Sequence, residues 1–296
     1  MKEKSPLENV QLYPSDSFKI VIDNLTRKLF EMCLDSNETA EIELVESNLK
    51  KIKINIKISN LSGSKITMWE FDWAVFDAVI SERIAGNEYT TAAIIARKLG
   101  ASHTPTKAIR DAIIDSLEKF AVIRIVADLD DIKKFYESPI GHFKFRGYVL
   151  ASELLAMKVN GQNAALINFL SKGVLFATSD MKNQILTCDQ SLLEPPVRMT
   201  TRSISINHFF LRRILEMKGS AKVSKYNKRI RPLHNIILFD SLYRACGLEN
   251  ASLIQKQHAR ETAEKILDFF VKKNFIKSYS VETGKTGKAR AIIIEL

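Results

Sequence analysis

Glutamine, arginine and lysine are the side chains that read and hold nucleic acid, and they gather near the end of this chain. Gln257, Arg260, Glu261 and Glu264 fall on the side opposite an apolar stripe made by Ala259, Ala263, Ile266, Leu267 and Phe270. Arginine can pair bidentately with guanine and glutamine with adenine, which gives those types a reason to stand on one helix face. Lys256 and Lys265 lie beside them as point charges suited to phosphate. Further on, Lys285, Lys288 and Arg290 are spaced by Gly284 and Gly287, a flexible cationic finger fitted to a phosphate or a minor groove. Ahead of them, Lys218, Lys222, Lys225, Lys228, Arg229 and Arg231 follow one another without an acid and read as a basic linker. Each of these types also occurs on ordinary solvated surface, so the pattern needs a frame.

Charge placement supplies part of it. The 296 residues carry 44 Lys and Arg against 34 Asp and Glu, a net of +10. Residues 1–201 hold 25 basic against 26 acidic side chains, a net of −1, and residues 202–296 hold 19 against 8, a net of +11. A polyanion is drawn to the last third. A membrane surface is the other polyanion to weigh, and it needs a basic helix exposing a broad apolar face. No apolar run approaches the roughly 20 residues that span a bilayer, and the charged start, Met1-Lys2-Glu3-Lys4, lacks a secretory signal. Cys33, Cys188 and Cys246 are too scattered for a disulfide framework or a metal site. The reading is a soluble, cytoplasmic protein.

Catalytic patterns fail on spacing. Gly284-Lys285-Thr286 lacks the upstream glycine of a phosphate loop, because that position is Tyr279. The histidines at 103, 142, 208, 234 and 258 never pair, and His258-Ala259-Arg260 is one residue short of a recombinase His-x-x-Arg. Asp128, Asp130 and Asp131 are the tightest acid cluster and read as a solvated turn rather than a magnesium site. No enzyme, cofactor or metal is expected.

The elements that must position the basic residues are legible in outline. Lys51 to Ile58 alternates lysine or asparagine with isoleucine, a half-buried strand whose lysine face discourages edge pairing. From Trp69 a helix carries Phe71, Ala74, Val75, Ala78 and Val79 to Gly86-Asn87, and a second runs from Thr90 or Thr91 to Leu99. Thr104-Pro105 offers a cap for a third, with Ile109, Ile113, Leu117 and Phe120 inward. Strands at Val122–Val126 and Phe143–Leu150 follow. Three helices and a β-hairpin make the order of a winged helix. After Glu194-Pro195-Pro196 the order returns: helices at Ile204–Lys218, Ile236–Cys246 and Leu253–Lys273, then strands at Phe275–Glu282 and Ala289–Glu295. The fold expected is α+β: an N-terminal β-rich extension (1–64), a winged helix (65–150), a mixed α/β connector (151–201) and a basic winged helix (202–296). In the first winged helix the corresponding face offers Ser102, His103, Thr106, Lys107 and Arg110, with Asp111 and Asp115 close by to repel phosphate.

Phe71 to Ala78, Gly86-Asn87-Glu88-Tyr89-Thr90-Thr91 and Tyr136-Glu137-Ser138 resemble the first winged helix of replication-initiator-like proteins of plasmids and integrative elements in Gram-positive bacteria. Phe209 to Ile214, Met217-Lys218 and the closing helix and hairpin resemble the same family, so the likeness spans roughly residues 60–296. It implies tandem winged helices that bind repeated double-stranded sites at an origin, recruit host replication proteins and form homodimers through the first domain. The N-terminal strands and the long connector depart from that family. A winged-helix transcriptional or partition regulator, or a protein–protein adaptor on the same fold, stays open.

Overall fold

The computed structural model describes residues 13, 16–22, 24–36, 38–45, 53–101, 105–128, 144–150, 152–159, 162–170, 175, 179, 184–226, 233–284 and 289–296. The first elements are β1 (Ser17–Val21), α1 (Asn24–Phe30), β2 (Cys33–Leu34), β3 (Thr39–Val45), β4 (Lys53–Asn60) and β5 (Ile66–Thr67). Next come α2 (Glu70–Ile84), β6 (Tyr89–Thr91), α3 (Ala92–Lys98) and α4 (Lys107–Val122). Strands β7 (Ile123–Asp128), β8 (Lys144–Tyr148), β9 (Ser152–Val159), β10 (Gln162–Phe169) and β11 (Ile185–Asp189) lead to a 3-10 turn at Gln190–Leu193. The chain closes with α5 (Thr201–Tyr226), β12 (Ile236–Leu238), α6 (Phe239–Ala245), α7 (Leu253–Lys272), β13 (Ser278–Thr283) and β14 (Ala289–Glu295). The architecture is α+β, with small antiparallel sheets against helices.

Helix α2 is buried on every side from Glu70 to Glu82, because β1, α3, α4 and α5 all pack on it. Its aromatic core is shared: the Phe30 ring stacks on Trp73 with centroids 5.4 Å apart and meets Phe120 edge-on at 6.0 Å. Such pairs add about 0.5–1.5 kcal/mol beyond the area they bury. Helix α4 starts at Lys107, with Thr106 rather than Thr104 as its cap: the Ile109 amide donates to Thr106 Oγ1 over 3.4 Å.

The strands depart from the sequence reading in one instructive way. β7 and β8 do pair with each other, but β7 also takes β4, building a sheet in the order β3-β4-β7-β8. β4 is therefore central, and its alternating lysines do not mark an edge. The partner of β6 is β10, with Thr90 opposite Ile167, and β10 forms a hairpin with β9. The hairpin that completes the first helix set thus comes from the stretch expected as a connector. Pairing between distant strands is set by which edges remain free, and local alternation cannot register that. Strand β11 returns to pair with β1, so the N-terminal extension is stitched to the same stretch.

From α5 onward the order is helix, strand, helix, helix, hairpin, with sheet order β12-β14-β13, a winged-helix-like arrangement. Two differences stand out. The stretch 236–238 is a strand that pairs with β14 instead of the start of a helix. Helix α5 runs on to Tyr226, so Lys218, Lys222 and Lys225 sit on helix rather than linker. No proline interrupts that stretch. The Lys218 ammonium donates to the Phe275 carbonyl and lies 3.9 Å from that ring's centroid, which secures the helix to the base of the hairpin.

Between the two helix sets, α2 meets α5 through charge instead of apolar contact alone. His208 Nδ1 faces Glu70 Oε1 at 2.7 Å and its Nε2 faces Asp77 Oδ2 at 2.9 Å. Arg212 donates to both Glu70 oxygens, at 3.1 and 2.9 Å, and its guanidinium carbon lies over a Trp73 ring, 4.0 Å from the centroid. Arg212 also pairs with Glu216 at 3.3 Å, and Arg27 of α1 reaches the same carboxylate at 2.8 Å. Buried charges persist only when paired and hydrogen-bonded, as these are.

Candidate nucleic-acid interface

Helix α7 begins on a reciprocal cap: Gln255 N donates to Ser252 Oγ and Ser252 N donates to Gln255 Oε1. Ala259, Ala263, Ile266, Leu267 and Phe270 are buried, and α5 is among the elements they pack against. The opposite face is open: Leu253, Ile254, Gln257, His258, Glu261 and Lys265 are exposed, and Arg260 and Glu264 half-buried. Gln257 Nε2 donates to Glu261 Oε1 at 3.1 Å and His258 Nδ1 stands 3.4 Å from Glu261 Oε2. These hydrogen bonds, Gln257's first, hold the Glu261 carboxyl below its ordinary range. Lys256 is less free than the sequence suggests: its ammonium donates to the Glu249 carbonyl at 2.6 Å and sits 5.4 Å from the Tyr243 ring centroid.

Beside this face lies a cleft of about 320 Å³ that no sequence pattern announces. His258, Thr262 and Lys265 line one wall, and Arg198, Thr200 and Arg202 belong to the other. The spacing of four and three residues sets the α7 members in one row. Among the described residues no carboxylate lines it. Thr200 caps α5 by accepting from the Ser203 amide at 3.1 Å, so the positive end of a 26-residue helix opens there too. Among the described residues Arg198, Arg202, Arg260 and Lys265 form no ion pair. The cleft suits an anionic group bridging helix and loop. Arg198, Arg202 and His258 are absent from the sequence-based set; the two arginines reach the α7 row only on folding, whereas His258 lies on α7 itself beside Gln257.

On the hairpin, Glu282 pairs with Ala291 and Thr283 with Ala289, so Arg290 is the extra residue of a β-bulge and is exposed. Tyr279 on β13 donates from its hydroxyl to Asp268 Oδ1 at 2.9 Å, tying hairpin to helix. Burial first, then that carboxylate, pushes the Tyr279 phenol above its ordinary range. Lys285 and Lys288 lie outside the described residues, as do Lys228, Arg229 and Arg231. Lys222 is exposed on the last turns of α5; Lys225 follows on the same helix.

In the first helix set Lys107 is exposed at the start of α4, while Arg110 is tied to the Pro105 carbonyl by a 2.9 Å hydrogen bond. Asp111 and Asp115 are exposed along the same helix, and Ser102 and His103 lie outside the described residues. Among the described residues, exposed cations that form no ion pair include Lys107 in the first set and Arg198, Lys265 and Arg290 in the second. Among the described residues no group of three or more His, Cys, Asp or Glu could hold a metal ion, and no helix is long and apolar enough to cross a membrane.

No family profile and no curated protein matches the sequence. Solved structures of domains 2 and 3 of RctB are similar in architecture. One aligns over 90% of this chain and 96% of its own length at 10% identity with a TM-score of 0.44. A selenomethionine form of the same domains aligns over 88% and 91% at 11% identity with a TM-score of 0.38. The likeness is one of loose overall arrangement.

Proposed function

We propose that the chain is a sequence-specific double-stranded-DNA-binding protein of two winged-helix domains, and an initiator of replication for a plasmid or mobile element. One observation carries the DNA reading: among the described residues the outer face of α7 is exposed and is bordered by cations that form no ion pair. In a winged helix that helix enters the major groove and the hairpin reaches the backbone. Gln257 and Arg260 then face base edges, while Lys265, Arg198, Arg202 and Arg290 face phosphates. The first domain joins α2 to α4 with the β9–β10 hairpin as its wing. The initiator role rests on the resemblance of the α2, β6 and α5 sequences to replication-initiator-like proteins.

Two measurements test this. Binding to a random duplex should weaken with salt at a log–log slope near −5 to −7, as about 6–8 phosphate contacts require. An affinity indifferent to salt would sink the DNA reading. A plasmid carrying only this gene and its flanking DNA should be maintained in a permissive host. If it is lost while duplex binding persists, the protein is a regulator on the same fold.

A further inference from the structure

Two side chains on α7 are out of place on a helix that only binds phosphate. Leu253 is 77% exposed and Ile254 is 67% exposed, more than any other large apolar residue described. A single exposed leucine needs no explanation. Two adjacent ones on the first turn do, because the cap at that turn is made by Ser252 and Gln255 and asks nothing of them. Neither packs on the hydrophobic core. Both stand on the outer face that Gln257 continues one turn later.

We infer that Leu253 and Ile254 contact the C5-methyl groups of thymine in the major groove, so that α7 reads a site containing A·T pairs. This rests on the DNA-binding reading above and adds what is read. The thymine methyl is the apolar feature a base pair shows in that groove, and the groove admits a helix. Gln257, the next outward side chain, has the amide that pairs with adenine N6 and N7. The setting selects DNA over an apolar protein partner. Arg260 and Lys265 follow on the helix, the Arg198–Arg202 cleft lies alongside, and residues 202–296 carry a net +11, from 19 basic against 8 acidic residues.

The test uses the full chain and a duplex pool that the chain itself selects from a randomised library. The pool is then amplified with either thymidine or deoxyuridine, which differ by the C5-methyl alone. Wild type should bind the thymidine pool more tightly, by about 4-fold for each methyl buried. Leu253→Gln/Ile254→Gln should bind both pools alike, with an unchanged melting temperature because both sites are exposed. Equal binding of the two pools by wild type overturns the inference. So does a variant that still prefers thymidine, or one whose defect is loss of self-association. Failure of the chain to bind or enrich any duplex at low salt overturns the DNA-binding reading itself.

Discussion

His208 Nε2 stands 2.9 Å from Asp77 Oδ2, and its other ring nitrogen faces Glu70 at 2.7 Å, so the buried ring lies between two carboxylates, a setting that favours the imidazolium. Burial alone would lower the His208 pKa; the hydrogen bonds and charges of Asp77 and Glu70 more than offset it and leave it raised. Burial pushes Asp77 up to about 6 against the pull of His208. Burial also pushes Glu70 up, but Arg212 and His208 together bring it down to about 2. A raised histidine contributes stability that is complete below its unfolded value near 6.5 and is lost as pH rises through the folded value. The melting temperature should therefore fall as pH rises above 6.5, and His208→Gln should flatten that decline. Calorimetry across that range checks it; parallel profiles would refute the imidazolium.

Arg212 holds Glu70 and Glu216 at once in a buried setting. Arg212→Met should cost about 3–5 kcal/mol, since it leaves the buried Glu70 with His208 alone, while Glu216 keeps Arg27 and Arg213. Arg244→Met, which removes the exposed partner of Glu249, should be near neutral. Urea denaturation of both variants gives the comparison.

Two glycines should respond to alanine with opposite sign. Gly100 has φ +97°, and a Cβ there would lie 1.8 Å from the Leu193 carbonyl oxygen. Gly100→Ala should destabilise by at least about 2–3 kcal/mol through backbone strain and displacement of the 3-10 turn. Gly219 lies within α5 with nothing near a Cβ, so Gly219→Ala should stabilise by about 0.5–1 kcal/mol. Thermal melts decide both.

Arg260→Ala should weaken a selected site by about 1–3 kcal/mol and random duplex far less. Phe270→Ala should instead lower stability by about 3–5 kcal/mol, since that ring is fully buried. Anisotropy on both duplexes separates the two. An Arg260→Ala protein that stays folded and loses equally on both duplexes would move sequence reading away from that side chain.

Arg202→Ala and Lys265→Ala should each make the salt slope shallower by about one, whatever the duplex sequence. Titrations at several salt concentrations measure it. An unchanged slope would empty the cleft of phosphate.

Helices and their inward faces were legible because periodicity is local. Ile109, Ile113, Leu117 and Phe120 are buried as their spacing requires, as are Ala259, Ala263, Ile266, Leu267 and Phe270. The strand order was not legible, because β10 and β6 meet across more than seventy intervening residues. Helix α1 lies in the extension expected to be β-rich, where no periodicity outside Lys51–Ile58 was readable, and it forms where Leu25, Leu29 and Phe30 find a core to enter. The α2–α5 charges were invisible for another reason. Glu70, Asp77, His208 and Arg212 are polar residues inside apolar runs, and alone each resembles a solvated position. Of the basic residues, the row on α7 could be placed in advance, whereas Arg198 and Arg202 needed the fold to bring them to it.

The joint between α2 and α5 is a polar lock rather than a greasy hinge. Greasy surfaces slide at little cost, but turning one helix set against the other would separate His208 from two carboxylates and Arg212 from Glu70 while all remain shut off from water. The two helix sets thus behave as a caliper with a fixed opening. On the DNA-binding reading proposed above, a duplex that touched both sets would have to meet them at the spacing this joint holds, and a few buried charges would then set the distance between the two contacts.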